Sequence, residues 1–202
     1  MFVTFEGPEG AGKSTALRAV ASQLNELGHE VITTREPGGG ALGKRIRQML
    51  LDEDQVSPET ELLLFLADRA NHVETIILPA LQEGKIVLCD RHADSTIVYQ
   101  GYGRGLNLDF LRQGNRFATK GLLPSLTLLF DLDPKIGLQR LSSGDDRDVN
   151  RLDREPLEFH EKVRAGFLEL ASIEAKRFVI LNAEKTPSEL AEDALREIVT
   201  RL

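Results

Sequence analysis

Short runs of apolar and β-branched residues alternate along this chain with longer stretches whose apolar positions recur every three or four residues. The runs cover residues 2–6, 30–34, 85–89, 125–132 and 177–181, each the length of a buried strand. The longer stretches include 13–27, which stops at Gly28, then 41–51, 58–83 and 188–202, and helical patterning also separates the later runs. Five short apolar strands joined by helical crossovers predict an α/β fold, a five-stranded parallel sheet with helices on both faces. Such sheets bind ligands at the C-terminal edge of their strands. There is no internal repeat, low-complexity tract or Pro/Gly linker, so residues 1–202 read as a single domain. The odd stretch is 142–155, SSGDDRDVNRLDRE, highly charged and almost free of apolar residues. On its own it reads as a solvated loop as readily as a functional one.

Composition narrows the function classes. A chain of 202 residues with 41% hydrophobic and 28% charged residues is long enough to bury a core without staples. Cys89 is the only cysteine, which excludes an internal disulfide, a Cys-based zinc site and a CxxC redox pair. A net charge of −7 disfavours non-specific nucleic-acid binding, which needs a positive surface. The apolar run at 62–67 falls far short of the ~20 residues that span a bilayer. The opening MFVTFEGPEG has no basic start and no apolar signal core, and already reads as a strand. No membrane contact and a cytoplasmic location are therefore expected.

The strongest chemical signal is Gly7-Pro8-Glu9-Gly10-Ala11-Gly12-Lys13-Ser14, which fits GxxxxGK[ST] and lies between the first strand and the first helix. Glycines let backbone N–H groups curl around phosphate oxygens, and the helix N-terminus adds partial positive charge. Residues Gly7 to Ser14, with Thr15 beside them, are thus candidates for binding ATP. Lys13 would bridge the β- and γ-phosphates, and the Ser14 hydroxyl would bind Mg²⁺. No NKxD guanine motif follows a later strand, so a GTPase is not indicated. Asp90 ends the third strand, beside the P-loop in such a sheet, and is a second metal candidate, directly or through water. Arg91 follows it at once. A carboxylate near magnesium with a guanidinium one residue on suits a site holding two sets of phosphates.

These residues resemble the thymidylate kinase family, whose members phosphorylate dTMP. FEGPEGAGKST (5–15) is similar to its P-loop, TREPGG (34–39) to the segment after its second strand, and LLFLADR (63–69) to its base-binding helix. DRHADSTIVYQG (90–101) resembles its DR(Y/F/H)xxSxxAYQG block, and NRLDRE (150–155) its lid. The departures are small: Gly40 stands where threonine is common, Val98 where alanine is common and His92 where an aromatic is common. The resemblance implies a three-layer P-loop kinase fold with a short lid at about 142–155, Mg²⁺ as cofactor, ATP and dTMP as substrates, and a homodimer.

It also implies roles. Phe65 and Arg69, four apart on one helix face, match the family's thymine stack and carbonyl donor. Thr96 and Gln100 would line the pyrimidine pocket, Gln100 offering both donor and acceptor. Glu9, a costly negative charge inside a phosphate loop, would accept from the sugar 3′-hydroxyl or help hold magnesium. Arg91 would hold the acceptor phosphate and the transferring group, with Arg47 and then Arg35 near the monophosphate. The family places an arginine either in the P-loop or in the lid. None lies between Gly7 and Lys13, so Arg147 and Arg151 are the catalytic candidates, with Arg154 and the preceding Arg140 beside them. The isolated histidines suggest packed or solvated roles. No general base is needed, because an acceptor phosphate is already ionised at neutral pH. The residues alone leave two alternatives open: another small-molecule P-loop kinase, and a P-loop ATPase switch acting on a protein partner.

Overall fold

A computed structural model describes residues 1–52, 55–143 and 150–202. Its strands are β1 (Phe2–Glu6), β2 (Val31–Arg35), β3 (Ile86–Asp90), β4 (Leu126–Asp131) and β5 (Phe178–Asn182), all parallel and ordered β2-β3-β1-β4-β5. Every apolar run is a strand, and none of the boundaries moves by more than one residue. Burial on both faces is the reason: β1 and β3 are buried at every position, so their sequences read as continuous apolar segments.

Successive strand residues point to opposite faces, and the core divides accordingly. Val3, Phe5, Leu88, Leu128 and Phe130 pack against α1 (Lys13–Glu26) and α9 (Pro187–Val199) through Leu17, Val20, Leu24, Leu190 and Ile198. On the other face Leu129 and Phe178 meet Leu62 of α3 (Pro58–His72), Leu111 of α6 (Leu108–Ala118) and Val163 and Phe167 of α8 (Leu157–Ile173). Phe2, Val87 and Cys89 pack with Val73 and Ile77 beside them. The result is a three-layer α/β sandwich.

The predicted 58–83 helix is continuous but not uniform. After α3 the chain makes a π turn over Val73–Ile77, where the Leu78 N–H reaches back to the Val73 carbonyl, and then α4 (Leu78–Gln82). Pro79 has no N–H for an α-helical bond, and the widened turn absorbs that loss. A second π segment, Ile97–Gly103, follows the short α5 (Ala93–Thr96) directly. The remaining helices are α2 (Gly40–Asp52) and α7 (Pro134–Ser142).

Helix N-termini differ in one respect that locates the site. Ser57, Asn107, Asp133 and Thr186 cap α3, α6, α7 and α9 with side-chain oxygens. The N-cap of α1 is Gly12, at φ 82°, with no side-chain hydrogen bond. The first N–H groups of α1 are thus left for another acceptor. The P-loop joins β1 to this end and is braced by α7. A Cβ at Gly10 would lie 2.3 Å from the Gly137 carbonyl oxygen, and one at Gly137 would lie 2.2 Å from that of Glu9. Only backbone fits between loop and helix.

Candidate active site

A cavity of about 680 Å³ opens at the C-terminal edge of β1 and β3. P-loop residues Glu9 to Thr15 form one wall; Phe65, Arg69, Thr96 and Gln100 belong to the other. Asp90 and Arg91 lie at the junction, and Arg35 and Arg47 also line the space. Residues far apart in sequence are thus brought together as the motifs implied.

On the phosphate wall, Lys13 Nζ donates to the carbonyls of Gly7 (3.0 Å) and Pro8 (2.7 Å). Burial, then the nearby Arg91 charge, lowers its ammonium from the ordinary 10.5 to about 8. The Ser14 hydroxyl donates to the Asp90 carboxylate. Arg91 holds a left-handed backbone, φ 68°, which disfavours a residue with a Cβ by about 1–2 kcal/mol. Its N–H donates to the Phe5 carbonyl at 3.0 Å, and the next N–H, of His92, donates to Glu6 Oε1 at 2.8 Å. The guanidinium donates to Gly7 O (3.0 Å), Ser95 Oγ (3.2 Å) and Glu9 Oε1 (2.7 Å), and sits 4.9 Å above the Tyr99 ring. Burial alone would favour loss of its charge; Glu9, Tyr99, Glu6 and Asp90 together outweigh that and raise the pKa. Glu6 beneath is pushed up to about 7 by burial and by the Asp94 charge.

The donors here suit magnesium. Ser14 and Asp90 touch each other and Glu9 lines the same cavity, all hard oxygen donors. Among the described residues no group of three or more His, Cys, Asp or Glu is disposed to hold a metal. An ion at this place would therefore complete its shell with phosphate oxygens and water.

The acceptor wall is built around Arg69, which is 1% exposed. Its Nε donates to Glu36 (2.8 Å), Nη1 to Thr96 Oγ1 (2.8 Å) and Asn115 Oδ1 (2.6 Å), and Nη2 to the His92 carbonyl (3.1 Å). Four of five guanidinium N–H groups are thereby committed, so the expected carbonyl donor retains one. Its larger effect is on Thr96: that oxygen already accepts from Arg69, and its own O–H is left to donate. Glu36 also receives the Nδ1 of both His72 (2.8 Å) and His92 (2.9 Å). Arg69 and His92 hold its carboxyl well below the usual range despite burial. Of the histidines expected to be packed or solvated, His72 is packed, and with His92 beside the site it completes a buried network under the cavity. Burial and the Glu36 charge raise Asp68, on the same helix, to about 6.

One expectation about the charged stretch changes. Arg151 does not face the P-loop. It donates to the Leu50 carbonyl at 3.2 Å and to Glu61 Oε2 at 2.5 Å, because Glu61 is a fully buried carboxylate that needs a counter-charge. Arg147 lies outside the described residues. Among the described residues Arg140 of α7 also reaches the P-loop, donating to the carbonyls of Gly10 (3.4 Å) and Ala183 (3.0 Å). Leu152 is buried and lines the cavity, as does Asn150, which gives the end of the stretch an apolar anchor. The unforeseen residues are Glu6, Glu36, Glu61, Ser95, Tyr99 and Asn115. A buried carboxylate at the end of a strand, as at Glu6 and just after β2 at Glu36, was the available signal for two of them.

A sequence model described as "Thymidylate kinase" matches residues 5–194. The chain belongs to the thymidylate kinase family. It is 51% identical over 205 residues to a thymidylate kinase of Nitratidesulfovibrio vulgaris (strain DSM 19637 / Miyazaki F), covering 98% of this chain and 95% of that protein. It is 46% identical to one from Bacillus licheniformis, covering 98% and 97%. The crystal structure of thymidylate kinase from Ehrlichia chaffeensis superposes with a TM-score of 0.80 at 32% identity, covering 98% of each chain. The P-loop, the cavity and the acceptor helix of this family member all fall inside the matched span.

Proposed function

We propose that this chain transfers the γ-phosphoryl group of ATP to dTMP, giving ADP and dTDP. One observation carries the reading beyond family membership: the P-loop and an aromatic, hydrogen-bonding wall share a single cavity, with Arg91 at their junction. Residues Gly7 to Thr15 and the uncapped start of α1 take the triphosphate, Lys13 contacting the β- and γ-phosphates. Ser14 and Asp90, with Glu9, would hold Mg²⁺. When bound, the ion neutralises charge on the β- and γ-oxygens. Phe65 stacks on thymine. Thr96, Gln100 and the last Arg69 N–H meet its polar edge, and Arg47 and Arg35 hold the acceptor phosphate. An oxygen of that phosphate attacks the γ-phosphorus. The bond to the β–γ bridging oxygen breaks and its electron pair leaves on ADP. The attacking oxygen carries no proton at neutral pH, so positioning and charge, not proton abstraction, lower the barrier. Residues 142–155 serve as a lid within a single domain. For Arg151 to reach the phosphates, its pair with Glu61 must break.

The test is ADP release from ATP with each of a panel of monophosphates. Release that depends on dTMP supports the reading. Preference for another acceptor makes the protein a different small-molecule kinase, and turnover indifferent to all of them makes it an ATPase switch.

The exposed apolar residues favour a homodimer. Leu63 on α3 is 60% exposed, and Phe110 and Phe117, one face of α6, are 56% and 85% exposed. Light scattering should give twice the chain mass, and Phe117→Asp should give the monomer. No helix among the described residues is long and apolar enough to cross a membrane.

A further inference from the structure

We propose that Glu61 sets the base specificity of the cavity by fixing which end of the Gln100 amide faces the nucleotide. The proposal rests on the reading that the cavity takes dTMP. Glu61 lies one turn before Phe65 on α3 and is fully buried. Its Oε2 accepts from Arg151 Nη2 at 2.5 Å and from Arg104 Nη2 at 3.4 Å. Its Oε1 accepts from Gln100 Nε2 at 2.7 Å and from Arg104 Nε at 3.4 Å. With two guanidiniums against it the group is a carboxylate, and a carboxylate only accepts. Gln100, 1% exposed, must therefore turn its NH₂ inward.

Gln100 lines the cavity, and among the described residues no group donates to its Oε1. The carbonyl is thus the end offered to a ligand. A carbonyl accepts the N3–H of thymine and opposes N3 of cytosine, which is a lone pair. An unconstrained amide could flip to suit either base; the acceptor-only partner removes that choice. A glutamine at position 61 would reverse it. Its one oxygen would go to the guanidiniums, where charge-assisted bonds are stronger. Its NH₂ would then face Gln100, which must present its carbonyl inward and its own NH₂ to the base.

The experiment measures kcat/KM for dTMP and for dCMP at saturating ATP, in the wild type and in Glu61→Gln. The dTMP:dCMP ratio should fall about tenfold to a hundredfold, the cost of mispairing one buried polar contact, while KM for ATP stays the same. Equal loss on both substrates, leaving the ratio unshifted, overturns the proposal and makes Glu61 only a counter-charge. Because Glu61→Gln leaves Arg151 without its carboxylate, while Arg104 keeps Glu155, Glu61→Gln/Arg151→Leu is measured beside it. The same fall in ratio is expected there, and an unshifted ratio again overturns the proposal. Wild-type enzyme that does not turn over dTMP refutes the functional reading itself. Turnover of dTMP with an unshifted ratio in the variants refutes only the role of Glu61.

Discussion

The two walls of the cavity hold their charges in opposite ways. On the phosphate wall, Lys13 rests on the carbonyls of Gly7 and Pro8, and α1 begins without a cap. A phosphate can take over those donors without stranding an opposite charge. On the acceptor wall, Arg69 is locked to Glu36, Thr96, Asn115 and the His92 carbonyl before any base arrives. Breaking a buried ion pair by removing one partner costs about 3–5 kcal/mol. The first wall is therefore built to exchange partners during turnover. The second is built to keep its shape and select. Arg91 belongs to both: it holds a backbone carbonyl and the Glu9 carboxylate at once.

The sharpest way to break this contrast is Lys13→Ala. Activity should fall by about a thousandfold or more, the scale of losing a group that acts on transition-state charge. The fold should hold, since the side-chain hydrogen bonds of the lysine go only to its own loop. Retention of near wild-type kcat/KM would remove the phosphate wall from the mechanism. Glu36→Gln should do the reverse, lowering unfolding free energy by about 3 kcal/mol in denaturant titration. Its acid limb follows from linkage. A carboxyl held below its usual pKa stabilises the fold above about 4.5, and that contribution is lost as pH falls through its folded value. The wild-type chain should lose stability on acidification more steeply than Glu36→Gln. Equal slopes would mean that Glu36 is not the anchor.

The contrast also governs what could be read from sequence. The phosphate wall is one contiguous stretch whose spacing states its chemistry, so Gly7 to Thr15 needed only a strand before and a helix after. The central strands β1, β3 and β4 were legible because burial on both faces keeps them mostly apolar; the edge strands β2 and β5, partly exposed, showed as short β-branched or apolar runs. The acceptor wall comes from the end of β2, from α3, from α5 with the π segment, and from α6. Helical spacing placed Phe65 and Arg69 on one face but carried no information on depth, so Arg69 read as a free donor. Its anchors Glu36 and Asn115 are 33 and 46 residues away. Arg151 read as a phosphate ligand for the same reason: its partner Glu61 sits 90 residues earlier. The π turns have no sequence signature beyond Pro79.

Phe65→Ala sharpens the comparison from the acceptor side. Loss of an aromatic stack should raise KM for dTMP by about tenfold to a hundredfold, corresponding to ~1–3 kcal/mol, and leave KM for ATP near its wild-type value. Steady-state kinetics with each substrate varied in turn decides it. A rise in KM for ATP instead would place Phe65 on the wrong wall.

The smallest expected effect is a fraction of a proton. Lys13 in the empty cavity has its pKa lowered to about 8 by burial and by Arg91, so near pH 8 half of the molecules lack the ammonium proton. A phosphate anion favours the charged form and raises that pKa. ATP binding at pH 8 should therefore take up about half a proton through Lys13, and that share should fall away as the pH is lowered, because there the lysine is already charged. ATP itself is fully ionised at pH 8 and contributes nothing, since phosphate second ionisations lie near 6. Calorimetry in two buffers of different ionisation enthalpy reads the uptake directly, and Lys13→Arg should abolish it, because a guanidinium keeps its proton throughout. Binding of dTMP at the same pH should take up less, because Lys13 is the only lysine among the described residues lining the cavity and it lies on the other wall. Equal uptake with both nucleotides would show that the two walls do not differ in how they hold charge. Uptake confined to ATP would show that the phosphate wall alone stores an incomplete charge that its ligand completes.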